Sequence, residues 1–157
     1  MSDSGSMLEW AQGLIVLGEQ NRREGKFGEA IQQFNEMLEL PLDAGPERNL
    51  LRYHAYACRG AAHRQLGDNN AAIDDLSEAI AIDSERALAY VNRGQVWESQ
   101  GEDDQAMDDY SRAIRLESEC ADAYSLRSEI WKRRGDMNRA IEDGEAARNL
   151  ESNEGNS

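Results

Sequence analysis

The sequence predicts an all-α protein made of about four helix-turn-helix repeats, and three observations support this. Similar residues return every 34 positions, so that the segment from Ala87 to Cys120 can be laid over the segment that starts at Ala121. Within each repeat, apolar residues recur at three- and four-residue intervals, which is the pattern of an amphipathic helix. A glycine separates the two helical segments of each repeat, at the place where a helix ends. A unit of this size cannot bury its own apolar face, so we expect the repeats to stack on one another.

The third and fourth repeats share small and aromatic residues at most of their matching places. The matching pairs include Ala89/Ala123, Tyr90/Tyr124, Arg93/Arg127, Trp97/Trp131, Gly101/Gly135, Ala106/Ala140 and Ala113/Ala147. The second repeat, from Tyr53 to Arg86, follows the same pattern, and a weaker first copy starts at Ala11. The repeats are therefore predicted at about 11–44, 53–86, 87–120 and 121–154, within a single domain over 8–150.

Eight helices are predicted from these patterns. They span about 8–24, 27–40, 46–66, 69–83, 85–100, 103–117, 119–134 and 137–150. Residues 1–7 and 151–157, which are mostly polar or small, are predicted to be disordered tails. Ser84 and Ser118 stand just before two of the helices, and we expect their hydroxyls to cap the helix starts.

An insertion over residues 45–52 interrupts the period, because Gly25 and Gly67 are 42 residues apart, eight more than the repeat. Pro46 follows Gly45 and favours a helix start. The insertion is therefore predicted to lengthen the third helix at its beginning.

The repeated aromatic, glycine and alanine places resemble the tetratricopeptide repeat, over nearly the whole chain. The resemblance implies a right-handed superhelix with an inner groove, lined by the first helix of each repeat, that binds a protein or peptide. The chain departs from the family pattern at the end of each unit, where Ser84, Ser118 and Ser152 stand in place of proline.

Carried onto this sequence, the resemblance implies a set of groove residues. These are Arg22, Arg23, His54, Ala57, Arg64, Leu88, Val91, Asn92, Gln95, Asp122, Lys132 and Arg133. The set has a basic edge, whereas the second helices of the repeats are rich in Asp and Glu. The hypothesis is that the groove binds a peptide with acidic character, its apolar side chain resting on Ala57, Leu88 and Val91. The alternative is that the arginines only balance the acidic helices.

An arginine and an aspartate sixteen residues later recur in three repeats, as Arg59 and Asp75, Arg93 and Asp109, and Arg127 and Asp143. In the first repeat both change together, to Leu17 and Gln33. The joint change predicts an ion pair between the two helices of one repeat, and the alternative is two independently solvated charges.

Composition argues against several classes of function. The net charge of −14 disfavours nucleic-acid binding, which needs a dense cationic surface. No apolar run is long enough to cross a membrane and no secretory leader is visible, so a cytoplasmic location is expected. Cys58 and Cys120 have no paired spacing, which suggests a reducing compartment.

Neither catalysis nor a cofactor is predicted, because no phosphate loop or catalytic triad is visible. His54 and Cys58 have a spacing that suits a metal, but two ligands are too few for a site. One subclass of the family binds chaperone tails through a Lys and Asn set. Of those places only Asn92 fits, whereas Ile15, Glu19, Leu88 and Asp122 do not, so no co-chaperone role is expected.

The sequence thus favours a non-enzymatic adaptor that binds a protein or peptide partner. The alternative is a scaffold that assembles with copies of itself through its last helix or through the end that carries Leu8 and Trp10, since repeat arrays need polar end caps.

Overall fold

The computed structural model describes residues 3–154, and within them the side chains of residues 5–153. These residues form eight helices and no strand. The helices are α1 (Asp3–Arg23), α2 (Phe27–Glu39), α3 (Pro46–Gln65), α4 (Asn69–Ile82), α5 (Ala87–Ser99), α6 (Asp103–Leu116), α7 (Ala121–Arg133) and α8 (Met137–Glu154). The predicted all-α class and the four helical hairpins are confirmed.

The chain divides into two compact units, which meet in sequence between Ser84 and Glu85. The first unit contains the hairpins α1–α2 and α3–α4, with α3 packed against both α1 and α2. The second contains α5–α6 and α7–α8, with α7 packed against both α5 and α6. The single domain predicted over 8–150 stays a prediction, and each compact unit contains two of the four predicted repeats. In repeat proteins each unit packs only on its neighbours, so compactness is a local property.

Both ends of the described chain are more helical than predicted. Residues 3–7 belong to α1 and residues 151–154 to α8, so the predicted tails over 1–7 and 151–157 are wrong in these parts. Residues 1–2 and 155–157 lie outside the described residues. The helices extend because, once a helix is nucleated, each added residue gains a backbone hydrogen bond even where no apolar pattern continues.

The insertion lengthens α3, as predicted. This helix has 20 residues, against 13 in α5 and 13 in α7. Pro46 is its first residue, where a missing backbone N–H costs no helical hydrogen bond.

The predicted serine caps are wrong. Helices α5 and α7 begin at Ala87 and Ala121, so Ser84 and Ser118 both precede the capping place by two residues. Neither helix start has a side-chain cap. The helix α4 does have one, since the Oδ1 atom of Asp68 accepts a hydrogen bond from the backbone of the third residue of that helix.

Glycines on the first helix of three hairpins receive a large side chain from the second helix. A Cβ atom on Gly94 would lie 2.6 Å from Cε1 of Tyr110. A Cβ atom on Gly18 would lie 2.6 Å from Phe34, and one on Gly60 would lie 2.8 Å from Leu76. These close approaches let the two helices of a hairpin pack tightly.

The last hairpin reverses this arrangement. Ser128 takes the place of Gly94, and Gly144 takes the place of Tyr110. The Oγ atom of Ser128 donates a hydrogen bond of 2.8 Å to the carbonyl oxygen of Ala140. The outer side of α8 therefore lacks the aromatic ring that its counterpart in α6 provides.

Two of the three tryptophans, Trp97 and Trp131, pack against the core of the second unit. Trp97 and Trp131 are half-buried and pack against the cluster that contains Met107, Tyr110 and Ile130. The guanidinium of Arg139 lies 4.7 Å above the Trp131 ring.

Candidate interaction surfaces

The three predicted Arg and Asp pairs are confirmed as two-bond ion pairs within single hairpins. In the third hairpin, Nε and Nη2 of Arg93 donate to Oδ2 and Oδ1 of Asp109 at 2.9 and 2.8 Å. The pairs of Arg59 with Asp75 and of Arg127 with Asp143 have the same geometry. We call these three pairs the hairpin clamps.

Each clamp arginine is also held by a tyrosine three residues earlier. The Arg93 guanidinium lies 5.8 Å from the centre of the Tyr90 ring, within the range of a cation–π contact. Hydrogen bonding to Asp109 raises the pKa of Arg93 further above its usual range, although burial opposes the rise. The hydrogen bonds to Asp109 therefore favour the charged form of the Arg93 guanidinium.

The first hairpin uses a neutral contact instead of a clamp. There Leu17 is 44% exposed, and Gln33 accepts a hydrogen bond of 2.9 Å from Asn21. The joint change seen in the sequence therefore corresponds to a change from an ion pair to an amide contact.

In the first unit, the implied groove residues lie on the contacting helices α1 and α3. Arg22, His54 and Arg64 are half-buried, and Arg23 is exposed. Ala57 is only 4% exposed, so it belongs to the helix interface more than to an open surface.

Cys58 lies on this same face, beside the basic residues of α1. Its Sγ atom donates to Oε1 of Glu19 at 3.7 Å. Burial raises the pKa of the Cys58 thiol to about 11, and the Glu19 carboxylate adds to the rise, whereas Arg22 opposes it. The thiol is therefore neutral and inert near neutral pH.

In the second unit, the implied groove residues lie on the contacting helices α5 and α7. Leu88 is 61% exposed, whereas Val91 is 6% exposed and therefore buried. Asn92 and Gln95 are half-buried, and Asp122 is exposed.

The basic end of α7 is already paired within the second unit. Arg133 donates to Glu98 at 2.9 Å and to Asp103 at 2.8 Å, and Lys132 donates to Glu129 at 2.6 Å. Hydrogen bonding to Asp103 raises the pKa of Arg133, and Glu98 adds to the rise. The alternative given by the sequence, that the arginines balance the acidic second helices, corresponds to the contact of Arg133 with Asp103 of α6. Sequence reasoning missed their partners, although the acids precede Arg133 by about one repeat.

Two further findings concern other classes of site. Among the described residues, no group of three or more His, Cys, Asp or Glu side chains is placed to hold a metal ion. None of the helices in residues 3–154 combines the length and apolarity that a membrane span requires.

Comparison with known proteins agrees with the helical hairpins. Two tetratricopeptide repeat family models match, one over residues 60–101 and the other over residues 87–120. The chain is a tetratricopeptide repeat protein. Modules of this family are generally protein-interaction scaffolds without enzymatic activity. No match was found among curated protein sequences.

Solved structures of other tetratricopeptide repeat proteins have the same fold. A crystal structure of MamA is 25% identical with a TM-score of 0.76, and covers 94% of this chain and 81% of its own. The Arabidopsis OM64 TPR domain is 22% identical with a TM-score of 0.72, over 81% of this chain and 98% of that domain. The second TPR of Spaghetti (RPAP3), bound to the HSP90 peptide SRMEEVD, is 24% identical with a TM-score of 0.62, over 66% of this chain and 98% of that domain.

Proposed function

We propose that this tetratricopeptide repeat protein is an adaptor that binds an acidic peptide segment on the α1 and α3 face of its first unit. The observation that carries the proposal is that Arg22 and Arg64 are both arginines at matching places of neighbouring repeats. Both stand at the twelfth place of their repeats, on neighbouring helices that contact each other. At the same place in the second unit stand Glu98 and Lys132.

The charge of the rest of the chain makes this basic face selective. A protein with a net charge of −14 repels an acidic peptide over most of its surface, so a local group of arginines determines where the peptide binds. Arg23 adds an exposed third guanidinium at the end of α1. The Nε atom of Arg22 is buried and has no hydrogen-bond partner among the described residues, so this side chain has an unused donor. Arginine is suited to carboxylates because it can donate two parallel hydrogen bonds.

The second unit contributes less to this proposal than the sequence suggested. Arg133 and Lys132 already bind carboxylates of their own unit. A peptide would have to displace these pairs to use the two side chains. We therefore place the acidic contacts on the first unit, where Arg22 keeps an unused donor.

A titration of fluorescent peptides tests the proposal, with an acidic peptide and its amide counterpart, in which Asp and Glu are replaced by Asn and Gln. We expect Arg22→Glu and Arg64→Glu each to weaken binding of the acidic peptide about tenfold or more, because truncating a desolvated charged contact costs about 2 kcal/mol or more. The matched control is Arg115→Glu, the same charge change on an exposed residue of α6. Equal affinity for the two peptides, or an equal effect of all three substitutions, would contradict the proposal.

A further inference from the structure

Two helix faces of this chain expose apolar residues in a regular pattern. On α1, Trp10, Val16 and Leu17 are 56%, 61% and 44% exposed, and a Cβ atom on Gly13 would have no other heavy atom within 4 Å. We call these four residues the α1 stripe. Their spacing places them on one side of the helix. No residue of 3–154 buries this stripe.

The second exposed face lies on α8. Met137 and Ile141 are each 53% exposed, and they border a cleft of about 330 Å³ between α7 and α8. Gly144 and Arg148 line the same cleft. We call these four residues the α8 face.

The repeat register shows what these two faces do elsewhere in the same chain. Val16 has the repeat place of Leu126 on α7, and Leu126 packs against the cluster of Met107 and Tyr110 on α6. Gly13 has the place of Ala55 on α3, which is buried with Phe34 of α2. The α1 stripe therefore corresponds to the surface through which inner hairpins pack on the preceding hairpin.

The α8 face corresponds to the other side of the same interface between adjacent hairpins, and we call the interface between α6 and α7 the internal joint. Ile141 and Gly144 have the repeat places of Met107 and Tyr110, the α6 residues that contact α7. Because Gly144 has no side chain where Tyr110 has a ring, the cleft has room for a side chain from outside. The two open faces are thus the two halves of a joint that the chain already forms internally between α6 and α7.

We propose that the α1 stripe of one molecule docks on the α8 face of a second copy, in the place that the first helix of a further repeat would take. In this register Val16 lies at the cleft beside Ile141 and Gly144 of the second copy. Trp10 has the repeat place of Arg52, which reaches the carbonyl oxygen of Leu38, and Arg148 has the place of Leu38. Trp10 therefore meets Arg148 of the second copy, a pairing that suits a cation–π contact. Because the two faces differ, the contact is heterologous and can continue beyond a dimer.

One ion pair of the internal joint is replaced by a like-charge contact in the proposed interface between copies. Inside the chain, Arg133 of α7 meets Glu98 and Asp103. At the same repeat places, Arg23 of one copy would meet Lys132 and Met137 of the other. Like charges face each other there, and the exposed pair of Lys132 with Glu129 offsets only part of the repulsion. We therefore expect the association to be weak and to strengthen when either charge is reversed.

Sedimentation velocity over a concentration series tests this, with the full chain and no peptide present. Lys132→Glu and Arg23→Glu should each lower the dissociation constant about three- to tenfold, because each converts a like-charge contact into an ion pair. The double variant R23E/K132E restores a like-charge contact, so its dissociation constant should return to the wild-type value within about twofold. Arg115→Glu, on α6, is the matched control and should leave association unchanged.

A direct α1 to α1 contact between copies would not respond to Lys132→Glu, so an unchanged dissociation constant for that variant overturns the proposal. Effects of the two substitutions that merely add, or a K132E protein that stays monomeric up to about millimolar concentration, overturn it as well. Adding Val16→Glu to K132E should abolish the association if the stripe forms the contact. Circular dichroism of each variant confirms that its helices are intact.

Discussion

Removing one side of a hairpin clamp should destabilise the protein by an amount that depends on which charge is left behind. The Asp109 side chain is 8% exposed and the Arg93 side chain 22% exposed. Arg93→Leu leaves a carboxylate that is almost fully buried and unpaired, which we expect to cost about 3 kcal/mol. Asp109→Asn leaves a guanidinium that can still reach water, so we expect a smaller loss of about 2 kcal/mol.

The double variant R93L/D109N should cost about 3 kcal/mol, less than the two single losses together, because the second substitution removes the charge that the first one orphaned. The coupling free energy is then about 2 kcal/mol. The first hairpin shows that this place can be built without charge, since it has Leu17 and Gln33 there. Besides this contribution to stability, we expect the clamp to fix the register of the two helices in its hairpin.

Urea unfolding followed by far-ultraviolet circular dichroism measures the four free energies of this cycle. The matched control is the exposed pair of Arg112 and Glu85, which is 3.4 Å apart with side chains 38% and 73% exposed. Its cycle should give a coupling below about 0.5 kcal/mol. If the clamp cycle gives no more coupling than this control, the clamp is only two solvated charges and the reasoning is refuted.

Two further predictions concern helix packing and thiol chemistry. Gly94→Ala should lower the free energy of unfolding by about 1–3 kcal/mol because its methyl group would collide with Tyr110, whereas Gly144→Ala should be neutral or raise it by up to about 1 kcal/mol, since it has room and alanine favours helices. Thermal unfolding compares the two, and equal losses would contradict the packing described. Alkylation by iodoacetamide near pH 8, followed by mass spectrometry, should modify Cys120 several-fold faster than Cys58. Burial raises the pKa of both thiols, but only that of Cys58 strongly, to about 11, so Cys58 has less reactive thiolate. Equal rates would show that the Cys58 thiol is not protected by burial.

The thiol also makes a small contribution to the dependence of stability on pH. Its folded pKa of about 11 lies above the ordinary value of 9.0. The neutral thiol therefore stabilises the fold fully below the unfolded pKa, and this contribution is lost as pH rises through that range.

Most of the fold could be predicted from the sequence because its determinants are local and repeated. The glycine turns and the apolar intervals predicted all eight helices, and the joint change to Leu17 and Gln33 predicted the hairpin clamps. The helix ends were harder to predict, since residues 3–6 are polar or small and have no apolar period. The serine caps failed for a related reason, because Ser84 and Ser118 mark the end of one helix more closely than the start of the next.

The candidate site was harder to predict because burial and pairing depend on neighbouring helices. Ala57 and Val91 have the groove places of the family, but both are buried. The partners of Arg133, Glu98 and Asp103, are on the preceding hairpin. An alignment of the repeats shows which residues match, but it does not show which residues of adjacent repeats are in contact. A search for opposite charges about one repeat apart in the sequence would have found Glu98 as a partner of Arg133.

The clamps also determine where this chain can be cut and rejoined. Every clamp links the two helices of one hairpin, as Arg59 and Asp75 do. Whole hairpins could therefore be duplicated, removed or exchanged with their internal alignment intact, provided that the junctions fall at the connections near Ser84 and Ser118. Junctions placed at the glycine turns would instead separate each arginine from its aspartate and leave two helices that no longer specify how they should meet.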